Sequence, residues 1–189
     1  MMRRWFRRPP GGDPLVVAMA GVKLGERVLV LGTSDATLIA GVAVKSGLTG
    51  RTCIFGESDE AVTAAVTDAE EAGALVEGFA GRWAALPFNE AVFDVVLMRD
   101  VLPALSPGER AGCLAAVTRV LRPGGRAVVL DSTTGSGLFG GLRARPEASR
   151  FYGQEGGAIR ALEAHGFKAV RPLAEREGLV FVEGARATP

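Results

Sequence analysis

The chain has little histidine and cysteine, no long apolar run and almost no net charge. His165 is the single histidine among 189 residues, which excludes a multi-histidine metal cluster, and no metal is expected. The two cysteines, Cys53 and Cys113, lie inside apolar segments without CxxC spacing. They read as buried, reduced thiols rather than a disulfide or a metal site. No apolar run approaches the roughly 18 residues that a membrane span needs. The longest early stretch, Leu15 to Val22, is too short and lacks the cleavage pattern of a signal peptide, so the expected location is the cytoplasm. A net charge of +1 argues against a general nucleic-acid binder.

Charge is nevertheless unevenly placed. Arg3, Arg4, Arg7 and Arg8 fall in the first twelve residues with no acid among them; without them, 18 basic residues face 21 acidic ones, a balance of −3. The stretch MMRRWFRRPPGG closes on a Pro-Pro-Gly-Gly breaker. Residues 1–13 thus read as a basic tail, and residues 14–189 as one domain. The tail is either a frayed terminus or a surface anchor, with Trp5 and Phe6 meeting an anionic membrane surface or an acidic partner.

With 48% hydrophobic and 23% charged residues, the body is globular. From Leu15 onward, apolar runs alternate with helical segments. RVLVLG (27–32), GRTCIFGE (50–57), ALVEGFAG (74–81), FDVVLMRD (93–100) and RAVVLDS (126–132) read as strands. The segments at 35–47, 58–73 and 106–125 read as helices, the second capped by Ser58, the third by Ser106 with Pro107 in its first position and a glycine stop. Residues 132–157, rich in Gly, Ser and Arg, show no period and read as a lid or loop. A helix at 156–167 and two closing strands, KAVRPLAE and GLVFVEG, follow. Strands separated by helices imply an α/β fold with a doubly wound, mostly parallel sheet.

Four stretches in this order carry a resemblance: GVKLGERVLVLG (21–32), LPFNEAVFDVVLMRDVLPAL (86–105), VTRVLRPGGRAVVLD (117–131) and LEAHGFKAVRPLAEREGLVFVEG (162–184). Together they resemble the class I S-adenosylmethionine-dependent methyltransferases, in particular the small-molecule, quinone-biosynthesis-like group, over roughly residues 14–185. The resemblance implies a seven-stranded sheet in the order 3-2-1-4-5-7-6 with strand 7 antiparallel, and S-adenosylmethionine as cofactor.

The cofactor motif is degenerate when carried over residue by residue. The family's acid before the first glycine falls on Val30. The first glycine is Gly32, and the next two glycine places hold Ser34 and Ala36. The ribose-binding acid at the end of strand 2 falls on Gly56, with Glu57 one place later. The acid that accepts the adenine amino group falls on Arg82, followed by Trp83. Arginine offers only donors and cannot accept from an amino group. Each ligand donor left unpaired costs roughly 1–3 kcal/mol, and about 1.4 kcal/mol is a factor of ten in affinity.

Two readings of the Gly32–Asp35 turn follow. In the structural one, Ser34 caps the next helix and Asp35 lies in its first turn, where its charge opposes an anionic ligand. A lone Gly32 carries no dinucleotide fingerprint. In the functional one, Gly32, Thr33 and Ser34 still line a cofactor site, a bulge brings Glu57 to the ribose, and Trp83 stacks on a base. Arg82 is the discriminating residue: paired with Glu57 or Asp35 it plugs the adenine pocket, whereas pointing out, with Glu57 in the cleft, it favours an enzyme.

Arg99 and Asp100 follow strand 4 at its carboxyl end, where sites in open α/β sheets lie; they form either a ligand-facing polar pair or a solvated turn. Asp94 and Asp131, at strand edges, read as structural, and His165 beside the Gly166 helix stop suits the helix dipole. Leu138, Phe139, Phe151 and Tyr152 lid an apolar pocket or meet a partner protein. The cofactor-binding candidates are therefore Gly32, Thr33, Ser34, Glu57, Arg82, Trp83 and Arg99, and no catalytic residue is assigned. The favoured function is a non-catalytic binding or structural subunit, with the 1–12 tail and the 132–157 loop as contacts for a protein partner or larger assembly. The alternative is an active methyltransferase on a small, apolar acceptor.

Overall fold

The computed structural model describes residues 14–133 and 147–188. The basic tail, and Leu138 and Phe139 of the expected lid, lie outside the described residues. The described elements are α1 (Leu15–Ala20), β1 (Arg27–Leu31), α2 (Ala36–Ser46), β2 (Arg51–Gly56), α3 (Asp59–Glu71), β3 (Glu77–Ala80), β4 (Phe93–Arg99), a 3-10 turn (Leu102–Ala104), α4 (Pro107–Val120), β5 (Leu121–Ser132), α5 (Glu147–Gln154), α6 (Gly157–Ala164), β6 (Lys168–Arg176) and β7 (Leu179–Ala185).

The strands form one seven-stranded sheet in the order β3-β2-β1-β4-β5-β7-β6. Neighbours from β3 to β5 run parallel, and β7 is antiparallel to both β5 and β6. This is the expected class I methyltransferase fold. Its central strands are apolar throughout because both faces are covered. Val28, Val30, Ile54, Leu97 and Val128 pack with Leu38, Ile39 and Val42 of α2 and Ala65 of α3. On the opposite face, Leu29, Leu31, Val96, Met98 and Val129 pack with Leu114, Val117 and Val120 of α4 and Leu162 of α6. The alternation within each strand sends successive side chains to opposite layers.

Local chemistry sets the element boundaries. Ser58 caps α3 by accepting the Ala61 N–H, and Ser106 caps α4 in a reciprocal box with Glu109. Three boundaries depart from the sequence reading. Asp35, not Ser34, is the N-cap of α2: its Oδ1 accepts the Leu38 N–H at 2.9 Å. Asp is as good a cap as Ser, so a one-residue shift costs the helix nothing. The α4 helix stops at Val120 rather than at the glycine pair, since Pro123 cannot continue it. Residues 121–125 instead begin β5, with a register shift against β4 between Phe93 and Val95. Within 132–157, α5 forms at residues 147–154.

Two glycines separate close approach from backbone freedom. Gly32 has φ +102°, and a Cβ there would lie 2.7 Å from the Arg99 carbonyl oxygen; Gly73 has φ +80° with open space around it. Gly73→Ala is expected to cost about 1 kcal/mol through its left-handed backbone alone. Gly32→Ala is expected to cost more, because the β4 backbone must also move. Urea midpoints of the two variants at unchanged m-value measure the difference.

Candidate functional site

The strand order reverses between β1 and β4, and in open α/β sheets ligands bind outside the carboxyl ends of the strands at that point. The β1–α2 turn forms one wall there. Gly32 leaves β1 with its N–H donating to the Phe55 carbonyl at 3.0 Å. Thr33 is half-buried, and its methyl would contact any side chain added at Gly56 of β2, 2.9 Å from that Cβ position. Ser34 is exposed.

Arg99, the last residue of β4, crosses this switch point. Its Nε donates to Asp35 Oδ2 at 3.1 Å, joining the end of β4 to the N-cap of α2. Its Nη1 donates to Asp100 Oδ2, and to Ser132 Oγ at 3.1 Å. Ser132 closes the ring: its N–H donates to Asp100 Oδ1 at 2.6 Å, and its hydroxyl to Asp100 Oδ2 at 2.9 Å. Asp100 holds this position with a left-handed backbone, φ +54°, uncommon for a non-glycine residue. One guanidinium thus joins the start of α2 to the ends of β4 and β5. Arg99 and Asp100 form the polar pair the sequence allowed for, but their partners are the protein's own carboxylates and a hydroxyl.

The arginine that bridges the cleft is therefore not Arg82. Arg82 is exposed, and its charge lies toward Glu109 at the start of α4, where it adds to the Ser106 hydrogen bonds that hold the Glu109 carboxyl low. It pairs with neither Glu57 nor Asp35. Glu57 is exposed one residue past β2 and has no ion-pair partner among the described residues. Trp83 meets Phe55 edge-on, with ring centroids 5.5 Å apart, and its indole N–H is buried without a partner among the described residues.

A second polar cluster lies beside the first, at the end of β5. Tyr152 on α5 donates its hydroxyl to Asp131 Oδ2 at 2.8 Å, while Asp131 Oδ1 is buried with no partner among the described residues. Arg110 of α4 lies over the Tyr152 ring, 4.6 Å from its centroid, and pairs with Glu155 at 2.9 Å. Its other donors serve the carbonyls of Leu102 and Leu105. Burial pushes the Asp131 carboxyl up to about 7, opposed by the Tyr152 hydrogen bond and reinforced by the Asp100 charge. The sequence singled out Asp131 and Tyr152 without joining them, and it gave no sign of Arg110.

The remaining marked residues make local contacts. Asp94 accepts the Arg27 N–H at 2.8 Å and a donor from Arg122. Burial raises its carboxyl, yet these bonds hold it below the usual range. His165 Nδ1 lies 2.8 Å from the Ala161 carbonyl at the end of α6. Cys53 and Cys113 are free, and burial raises their thiols to about 11 and about 12. Among the described residues no group of His, Cys, Asp and Glu is arranged to hold a metal, and no helix is long and apolar enough to cross a membrane.

Asp131 should appear in the pH dependence of stability. Its carboxyl rises from 3.8 to about 7 on folding, so the folded chain binds the extra proton between those values. The proton's contribution is fully present below pH 4 and is lost as pH rises through 7. Asp131→Asn keeps a carbonyl for Tyr152 and never ionises. Its stability relative to the parent chain is expected to rise across that window, by a few kcal/mol at most. Thermal melts from pH 4 to 8 measure this; parallel curves would contradict it.

Comparison with known proteins agrees with the fold. A family model described as a methyltransferase domain matches residues 28–125, just over half of the chain. No curated protein matches. A SAM-dependent methyltransferase from Aquifex aeolicus superposes with TM-score 0.73 at 20% identity, covering 91% of this chain and 88% of its own. One from Methanosarcina mazei does so with TM-score 0.65 at 19% identity, covering 94% and 100%. The cyclase SpnF is similar at TM-score 0.67 and 16% identity, covering 98% and 86%. The sheet order, the β5 sequence Leu-Arg-Pro-Gly-Gly leading to Asp131, and the family match lead to one conclusion: this chain belongs to the methyltransferase domain family.

Proposed function

We propose that this chain is a non-catalytic member of its family, a binding or structural subunit whose cofactor cleft is bridged by its own side chains. The observation that carries the reading is the Arg99–Asp35 ion pair across the switch point between β1 and β4. Asp35 occupies the N-terminus of α2, the place where an anionic ligand group would otherwise profit from free N–H groups. A cofactor carboxylate would have to displace Asp35 and compete for an arginine already shared with Asp100. The three missing acids act in the same direction. Val30, Gly56 and Arg82 offer no side-chain acceptor to a ribose or an adenine amino group.

Two observations favour an active methyltransferase with a modified site: Arg82 is exposed and pairs with neither Glu57 nor Asp35, so it does not form the expected plug, and Glu57 is exposed and free of ion pairs among the described residues, one place beyond the expected ribose acid. That reading requires the Arg99 bridge to open. The fold also hosts chemistry other than methyl transfer, as the cyclase SpnF illustrates. In the favoured reading, the basic tail and the 132–157 loop supply contacts to a partner protein, with the tail's arginines suited to an acidic or anionic surface.

Calorimetric titration with S-adenosylhomocysteine tests the proposal. No saturable heat up to millimolar ligand is expected. Binding at micromolar strength overturns the reading and directs attention to Glu57→Ala and a panel of acceptors.

A further inference from the structure

Leu24, Val44, Leu48 and Leu75 are 77%, 64%, 91% and 75% exposed, and they are four of the five large hydrophobic side chains exposed among the described residues. Scattered singly, such residues would need no explanation, but these gather at one pole of the molecule. Leu24 lies in the α1–β1 turn, and its Cδ1 would stand 2.6 Å from a Cβ added at Gly47. Val44, Leu48 and Leu75 line one groove of about 570 Å³ at the amino ends of β2 and β3, where α2 and α3 finish. Charge is sorted across this pole. Lys23 is exposed beside Leu24, on the α1–β1 side. Glu70 and Glu71 are exposed on the α3 side, where the Gly73 and Ala74 N–H groups donate to the Glu70 and Ala69 carbonyls and turn the chain toward Leu75. None of these three charges has an ion pair among the described residues. Between the two sides, Arg51 and Glu77 pair with each other at 2.6 Å.

We infer that this pole is a two-fold interface between two copies of this chain. The occupant is a second copy because the charge pattern complements itself. A two-fold axis lying in the patch, across the line from Lys23 to Glu70, reverses that line in the second copy. Lys23 of one protomer then meets the partner's Glu70 and Glu71, and the same contact recurs on the other side of the axis. The four apolar side chains cover one another at the centre, inside a charged rim. An acidic protein or an anionic surface would meet like charge at Glu70 and Glu71, and a basic one would meet it at Lys23. The pole lies at the opposite end of the strands from the Arg99–Asp35 bridge, so the inference stands whether or not the cofactor cleft opens.

Sedimentation velocity of the full chain, from micromolar to submillimolar protein, tests this. A monomer–dimer equilibrium is expected. Leu48→Asp alters a side chain that is almost fully exposed in the single chain, so its urea midpoint should match the parent's. Its dimer should weaken at least about tenfold, because a carboxylate then lies in the apolar centre of the interface. Reversing both acids, Glu70→Lys with Glu71→Lys, should also weaken the dimer at least about tenfold, since the two-fold repeats every change. Lys23→Glu should weaken it in the same direction. All three reversals together should restore the affinity to within a few fold of the parent, a recovery that an apolar contact alone would not give. A monomer at every concentration overturns the inference, whether the chain's own tail or another protein covers the patch. A dimer unaffected by Leu48→Asp in a folded variant lies elsewhere and overturns it as well. Failure of the triple reversal to recover overturns the pairing of Lys23 with the partner's Glu70 and Glu71. None of these outcomes depends on S-adenosylhomocysteine, so this test and that of the cofactor cleft fail independently.

Discussion

Arg99 ends the central strand β4 with a guanidinium, which offers hydrogen-bond donors and no acceptor. The chain has placed three side-chain partners around it: Asp35 from the β1–α2 turn, Asp100 from its own strand end, and Ser132 from β5. Only about one seventh of its side chain is exposed, at 14%, so the pairing is less screened than at an open surface. The rest of the carboxyl edge depends on it. Asp35 cannot both pair with Arg99 and leave the start of α2 free for an anion. Asp100 adopts its left-handed backbone where its carboxylate reaches Arg99 and the Ser132 N–H together. Gly32 must be glycine because the β4 backbone beneath the bridge approaches within contact of its missing side chain.

The same arrangement shapes the neighbouring cluster. Asp100, held by Arg99, places a negative charge near Asp131 and adds to the burial that favours its protonated form. Tyr152 then has a partner that is half neutral near pH 7, and Arg110 steadies the ring from the other side. The edge therefore carries two kinds of polar site. One is closed on itself, with one guanidinium held between two carboxylates of the protein. The other is short of one partner among the described residues.

Sheet and helices were legible in the sequence because their causes are local. Buried runs such as Val28–Leu31 and Val95–Met98, caps at Ser58 and Ser106, and glycine stops mark elements without reference to distant residues. The site was legible in part. Arg99, Asp100, Asp131 and Tyr152 were all marked, yet their pairings were not, because 64 residues separate Asp35 from Arg99 and 21 separate Asp131 from Tyr152. The strand order brings the first pair together, and the packing of α5 the second. Arg82 drew attention as a donor in an acceptor's place, but nothing local indicated that it would turn toward α4. The cap of α2 falls one residue later than the sequence suggests, since Ser34 and Asp35 are equally able caps, and Asp35 meets both the Leu38 N–H and the distant Arg99.

A double-mutant cycle at Asp35 and Arg99 tests the bridge most directly. Asp35→Ser removes the charge but keeps a capping oxygen, and Arg99→Met keeps an apolar stem. Urea unfolding of the two single variants and the double variant gives their coupling. A coupling of about 1 kcal/mol or more is predicted, as for a partly buried ion pair in a hydrogen-bonded network. Additivity within about 0.3 kcal/mol would show that the two residues act independently, and the bridged-cleft account would fail.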